Sequence, residues 1–274
     1  MYKRQVHLNR NRDYNLPSPT LRTGDQSLRP DYGIVGGGIL RPVSTVGSLT
    51  IRESSARSMY RAVTFQAQYR TKKLQFQGFY TVAQNFSDDD SERSAGGFDY
   101  MDSFNLKSEY YYSALDIRHN FTGNAVYSLP WGFELSGIVR ARSGTPLNPR
   151  AGSDLNRDGN NNDRPFRSAG DPFPRNYFRN RGFSTTDMRI IKSFTFKERY
   201  KVQFSVEAFN MLNLDNVVFG GIASIYGNGF TTNGTTAPVA ADFMRLRNAD
   251  GRYNRQNAQL GNPRQLQGGL RFFF

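Results

Sequence analysis

Cysteine is missing from the chain altogether, and there is one tryptophan and only two histidines, His7 and His119. Without cysteine, a disulfide framework and thiolate metal sites are excluded, and the redox compartment stays undetermined. No run approaches the ~18 apolar residues of a membrane-spanning helix. The beginning, "MYKRQVHLNRN", lacks the apolar segment of a secretory signal, so either the protein stays in the cytoplasm or this chain lacks its own front end. Gly-x-Ser-x-Gly, a P-loop, His-Glu-x-x-His and Gly-x-Gly-x-x-Gly are all absent. The "GGGIL" at 36–40 precedes no helical pattern and reads as a loop. His7 and His119 lie far apart with no paired acids at metal spacing, so an enzyme is not expected. Apolar residues are scarce, at 37%, and mean hydropathy is −0.64.

What is abundant is aromatic: 22 Phe and 15 Tyr. Rings in so polar a chain fit neither a disordered segment nor an ordinary soluble helical domain, but they fit strands with one ring-rich and one polar face. Alternation bears this out. In "AVTFQAQYRT" (62–71), Val63, Phe65, Ala67 and Tyr69 oppose Thr64, Gln66, Gln68 and Arg70. After a tight turn near Lys72 and Lys73, Leu74, Phe76, Gly78, Tyr80 and Val82 oppose Gln75, Gln77 and Thr81. "LDIRHNFTGNAVYSL" (115–129) sets Leu115, Ile117, Phe121, Ala125, Tyr127 and Leu129 against Asp116, Arg118, Asn120, Thr122, Asn124 and Ser128. "PW" turns the chain into "GFELSGIVRARSG", where Phe133, Leu135, Gly137, Val139 and Ala141 oppose Glu134, Ser136, Arg140 and Arg142. A third hairpin turns at Glu198 and Arg199, with Val202, Phe204, Val206 and Ala208 opposing Lys201, Gln203, Ser205 and Glu207.

Each unit is about ten residues long, enough to cross a bilayer as a tilted strand. Connections near 71–73, 130–132 and 197–199 are tiny, while those near 88–113, 148–182 and 214–263 are long. Short turns on the periplasmic side and long loops outside are the habit of outer-membrane barrels. Counting "YKRQVHLNRN" and the last segment gives eight strands with both ends periplasmic. The expected fold class is therefore all-β, an antiparallel transmembrane β-barrel with long extracellular loops, in the bacterial outer membrane. The C-terminus places Leu266, Gly268, Leu270, Phe272 and Phe274 at every second position, and it resembles the signal by which outer-membrane proteins are recognised by their assembly machinery.

The net charge of +13 calls for polyanionic neighbours. Nucleic acid is disfavoured because the basic strand residues face away from the rings, whereas a stacking platform needs both on one surface. Phosphorylated lipid remains, and the loop residues Arg150, Arg157, Arg164 and Arg167 are candidate contacts for lipopolysaccharide phosphates or another anion. They stand beside Arg175, Arg179 and Arg181, and a solvated basic loop is the plain alternative. The same loop contains "DLNRDGNNNDRP" (154–165), which starts like a calcium loop. Asp154, Asn156, Asp158 and Asn162 sit at ligand positions and Gly159 at the turn, but the twelfth position is Pro165 and Asp163 comes two places early. Calcium is the only cofactor this suggests. Asn, Asp and Gly also favour tight turns on their own account.

"LDIRHNFTGNAVYSLPWGFELSGIVRARSGTPLNP" followed by "DLNRDGNNNDRP" resembles the late barrel of TonB-dependent outer-membrane transporters. The likeness is to the Oar-like subgroup, whose full chains begin with a carboxypeptidase-regulatory-like domain. "NRNRDYNLPSP", "RGFSTTDMRIIKSF", "VEAFNMLNLDN" and "GNPRQLQGGLRFFF" extend the resemblance over nearly the whole chain. It implies that residues 1–274 are the C-terminal part of a barrel of about 22 strands, with the plug and N-terminal domains absent from this chain. It implies energy-coupled uptake of a ligand, with TonB engaged through the missing N-terminal part. A surface adhesin or structural barrel without active transport is the alternative.

Overall fold

The computed structural model describes residues 1–21, 30–33, 41–90, 100–197, 199–220, 222–227, 229 and 239–274. The glycine-rich stretch 36–40, Glu198 and the side chain of His7 lie outside the described residues. Eight long strands run up and down in chain order: β1 (Tyr2–Asp13), β2 (Thr50–Arg70), β3 (Leu74–Ser87), β4 (His119–Leu129), β5 (Phe133–Arg142), β6 (Phe183–Phe196), β7 (Tyr200–Phe209) and β8 (Gln265–Phe273). Each pairs antiparallel with its neighbour in sequence, giving one meandering sheet. The three expected tight turns join β2 to β3, β4 to β5 and β6 to β7. The Pro130–Gly132 turn is a single 3-10 turn in which Trp131 and Gly132 both have positive φ. A Cβ on Gly132 would stand 2.8 Å from the Ser193 carbonyl oxygen, so the turn tolerates no side chain there.

Register carries the two faces across the whole sheet. Phe65 pairs with Tyr80, Tyr80 with Phe121, and Phe121 with Ala141. Leu135 pairs with Ile190, Ile190 with Val206, and Val206 with Gly268. The ring-bearing face is therefore continuous, and it is bare: Phe65 is 61% exposed, Phe204 51% and Phe272 65%. Among the described residues no second protein layer covers it along the strands, and only residues 214–217 and Tyr253 lean over its loop end. The reverse face is equally open, since Thr64, Gln66 and Gln68 are exposed as well. Leu266, Gly268, Leu270 and Phe272 all fall on the ring-bearing face of β8, opposite Ala208, Val206, Phe204 and Val202, and Phe274 follows the strand end.

Hydrocarbon is the medium that this face matches, because neighbouring strands pair their backbone groups within the sheet and leave mainly apolar side chains to face outward. Lys192 is a charged residue on that face, and sequence alternation passed over it. It lies at the short-turn end, where its ammonium reaches the Trp131 carbonyl and stands 4.4 Å from the Phe133 ring centroid. The side chain snorkels out of the apolar layer.

Three boundaries differ from expectation. β2 begins at Thr50, twelve positions before the alternating stretch, because Arg52 to Ser55 pair with β1 without an apolar face. Residues 115–118 are not strand: Asp116 is fully buried and bound to Arg179, which pulls the chain into a loop. The segment 14–49, between β1 and β2, is a fourth long connection at the same end as the others. The sheet is also open. Among the described residues, β1 covers β2 only from Thr50 to Arg61, and β8 pairs only with β7.

The face assignment is tested by two adjacent positions on β5. Leu135→Arg puts a charge into the hydrocarbon layer two residues in from the short turn, costing up to about 2–4 kcal/mol, and is expected to deplete folded protein in outer-membrane fractions. Ser136→Arg points to the other face and is expected to insert normally. Equal loss from both would contradict the register.

Candidate functional site

The loops L1 (14–49), L2 (88–118), L3 (143–182) and L4 (210–264) gather at one end of the sheet, and the large buried apolar side chains are almost all there. Leu16, Tyr32, Tyr100, Met101, Leu155, Phe166, Phe173 and Val217 are buried in the loops, whereas in the strands the only large one is Ile191, among the described residues. The loops are too polar to hold together by apolar contact alone, and arginines staple them. Arg164 of L3 forms a two-pronged pair with Glu109 of L2, with N–H···O distances of 2.8 and 2.9 Å, and gives its Nε–H to the Phe173 carbonyl at 2.9 Å. Both side chains are sealed from water. Arg175 donates to the Ser87 carbonyl at 2.8 Å and pairs with Asp90 at 3.3 Å. Arg179 reaches Asp116, whose other oxygen accepts the Asn85 N–H at 2.6 Å.

Further ties bring in the remaining loops. Arg10 on β1 meets Asp88 at 2.9 Å. Arg157 binds Asp31 of L1, with the Nε bond at 2.8 Å. The Tyr32 hydroxyl donates to Asp102 at 2.9 Å, and the Tyr100 hydroxyl to Asp89 at 3.0 Å. Burial first, and the neighbouring carboxylate second, push both tyrosine pKa values up. Arg150 N–H donates to the Ser224 carbonyl at 2.9 Å, and Phe178 packs on Phe243 at 4.9 Å, so L4 joins the same body. At the base of L3, Gly144 passes so close to L3's far end that a Cβ would overlap the Asn180 carbonyl oxygen, at 1.7 Å.

The four anion candidates thus have other work. Arg164 is buried and committed to Glu109, so it is corrected to a structural staple. Arg157 is held by Asp31, and Arg150 is bonded to the Ser224 hydroxyl at 3.2 Å. Arg150 and Arg167 are both exposed, the latter paired with Asp171 at 2.9 Å. Spacing could not reveal these partners, because Glu109 lies 55 positions from Arg164.

The calcium-like stretch folds as a series of polar turns. Asp154 accepts the N–H groups of Asp158 and Gly159 at 3.1 and 2.9 Å. Asn156 accepts from Asp158 at 3.0 Å and donates to the Met101 carbonyl at 2.6 Å. Asp163 accepts from Leu155 and Asn156 at 2.5 and 2.8 Å. Asn162 points its amide to the Tyr100 carbonyl, 3.4 Å away. Among the described residues, no three His, Asp or Glu side chains converge as for a metal ion. His119, on the ring-bearing face, shares a hydrogen bond of 2.8 Å with the Tyr80 hydroxyl.

Between L2 and L3 the cap opens into a recess of about 540 Å³, lined by Asp102, Asn105, Lys107, Tyr110, Tyr111, Phe166, Arg167, Asp171 and prolines. Ring faces and charges of both signs meet there, an arrangement that binds by stacking and hydrogen bonding. His119 does not line it.

Two outcomes test the cap. Glu109→Ala leaves Arg164 buried and uncompensated, which costs about 3–5 kcal/mol. Trypsin is expected to cut L2 and L3 of that variant rapidly while the strands stay intact. Asp171→Ala, which breaks an exposed pair worth at most about 1 kcal/mol, is expected to leave cleavage unchanged. The Asp158 carboxyl is pushed up to about 6 by burial, with the Asp154 carboxylate adding to the effect. A raised folded pKa means that this group favours the fold at low pH, below its unfolded value, and that the benefit is lost as pH rises through about 6. Asp158→Asn keeps the acceptor for the Asn160 N–H. It is therefore expected to slow hydrogen exchange in 154–163 at pH 7.5 and to change nothing at pH 4.

The outer membrane beta barrel domain family matches residues 3–174 and 168–267. No curated protein and no solved structure matches the chain. With the family match spanning most of the chain, and with bare rings on a meandering antiparallel sheet capped by loops at one end, the chain belongs to the outer membrane beta barrel domain family and resides in the bacterial outer membrane.

Proposed function

We propose that this chain is a sector of the barrel of a TonB-dependent, energy-coupled transporter, and that its loop cap receives the ligand outside the cell. The open sheet is the observation that carries this reading. On β2 the edge from Val63 to Arg70 has no partner strand among the described residues, and β8 has none beyond β7. Unpaired backbone is not tolerated in hydrocarbon. The inner face is exposed as well, whereas a closed barrel of eight strands is filled by its own side chains. Both points favour a wider barrel, to which further strands and a plug belong. Such a barrel of about 22 strands holds a plugged lumen.

The recess between L2 and L3 supports a binding role, with Tyr110 and Tyr111 offering ring faces and Lys107, Arg167, Asp102 and Asp171 offering charge. Catalysis forms no part of this reading. The apolar positions of β8 would present the chain to the outer-membrane assembly machinery. Slower proteolysis of 154–163 in millimolar calcium than in chelator would give that turn a cation. Equal cleavage would leave it a turn.

The test uses the complete native protein. Photocrosslinking in cells is expected to join it to TonB, and its upstream coding sequence is expected to specify a signal, a TonB-contacting segment and a plug. A reading frame that starts at Met1, with no crosslink, would overturn transport in favour of an adhesin, the reading that the large displayed loops also suit.

A further inference from the structure

A second cavity, of about 570 Å³, lies on the opposite side of the wall from the lumen, at the level where strands pass into loops. Its floor belongs to the ring-bearing face: Tyr80, Phe121 and Ala141, which are register neighbours on β3, β4 and β5. Its roof is the L4 segment from Leu214 to Val217, together with Tyr253. Arg181 stands at the rim, exposed and with no hydrogen bond or carboxylate among the described residues. Arg247 lies 3.9 Å above the Tyr253 ring and shares Asp215 with the Tyr253 hydroxyl, at 3.9 Å from that carboxylate.

We propose that this niche holds a phosphorylated glycolipid of the outer leaflet, with its acyl chain against the rings and its phosphate on Arg181 and Arg247. Continuity decides the apolar part: the floor is the outermost portion of the same face that hydrocarbon wets, so what lies against it is a lipid chain. Charge decides the head. One carboxylate, Asp215, meets three guanidinium groups, those of Arg142 and Arg181 in the lining and of Arg247 beside it, leaving net positive charge at the water boundary. A guanidinium binds phosphate through two parallel N–H···O bonds, and a basic group near a membrane surface attracts anionic headgroups. The niche lies at the long-loop end, which faces outside in this family of folds, so the lipid is drawn from the outer leaflet. This inference needs only the membrane orientation of the wall and stands whether or not the protein transports anything.

The experiment is native mass spectrometry of the complete protein extracted from outer membranes in mild detergent and incubated with diphosphorylated lipid A. A retained lipid adduct is expected on the wild type, and Arg181→Glu is expected to lower its occupancy at least tenfold. Lys73→Glu, on the short turn at the other end of the wall, is expected to retain the adduct, and an unshifted heat-modified mobility shows that each variant is folded. Equal adducts on the wild type and Arg181→Glu would overturn the proposal, and so would equal retention of lipid A stripped of both phosphates. Displacement by millimolar inorganic phosphate would overturn it too, making the niche a site for soluble anions.

Discussion

In hydrocarbon a backbone N–H has no water to fall back on, so the ladder between neighbouring strands has to be complete and in one register. The paired segments of β2 through β8 run without a register break, whereas β1, whose partner residues lie at the loop end of β2, contains shifts around Leu8. Unbroken register fixes which side of every strand meets lipid, because side chains alternate with period two. One slipped residue would turn Phe204 inward and Gln203 outward. The bare rings, the polar lumen wall and the placement of Lys192 at the boundary are all consequences of that parity.

Where the strands leave the membrane the rule changes. Water can satisfy backbone groups, and the chain is free to form long connections, but it lacks the apolar residues for an ordinary core. Charged groups take over. Arg164 with Glu109, Arg175 with Asp90, Arg179 with Asp116 and Arg157 with Asp31 each join different loops or join a loop to a strand end. A buried pair of this kind contributes little net stability, yet losing one partner is severe. The staples therefore specify one arrangement of the loops more than they strengthen it.

Parity and turn length were legible in the sequence. "AVTFQAQYRT" and "KVQFSVEAFN" alternate cleanly, and Lys72–Lys73 and Pro130–Trp131 mark hairpins that the structure contains. The tall start of β2 was hidden because Arg52, Glu53, Ser54 and Ser55 have no apolar partner to betray a strand. The four residues before His119 alternate as well as any strand, yet Asp116 is drawn into the cap by an arginine 63 positions away. Long-range ion pairs leave no periodic trace. That is why the basic residues of 150–167 looked like one free anion surface, although Arg164 is an internal fastener and Arg157 is held by Asp31. The outer niche depends on L4 folding back over β4 and β5, an encounter with no local signature either.

The unequal height of the wall has its own effect. β2 continues from Val63 up to Thr50, well past the level at which β4 and β5 end, and only β1 accompanies it to the top. β3 keeps pace with it as far as Ser58, so the two-stranded mast above that level, residues 50–57, rises about 25 Å along its axis at roughly 3.3 Å per residue. L2 leans on this mast near its tip, where Arg12, the register partner of Ile51, donates to the Ser103 carbonyl at 3.2 Å, next to the recess-lining Asp102. Shortening the paired tops of β1 and β2 would therefore take away the support on which one wall of the recess rests.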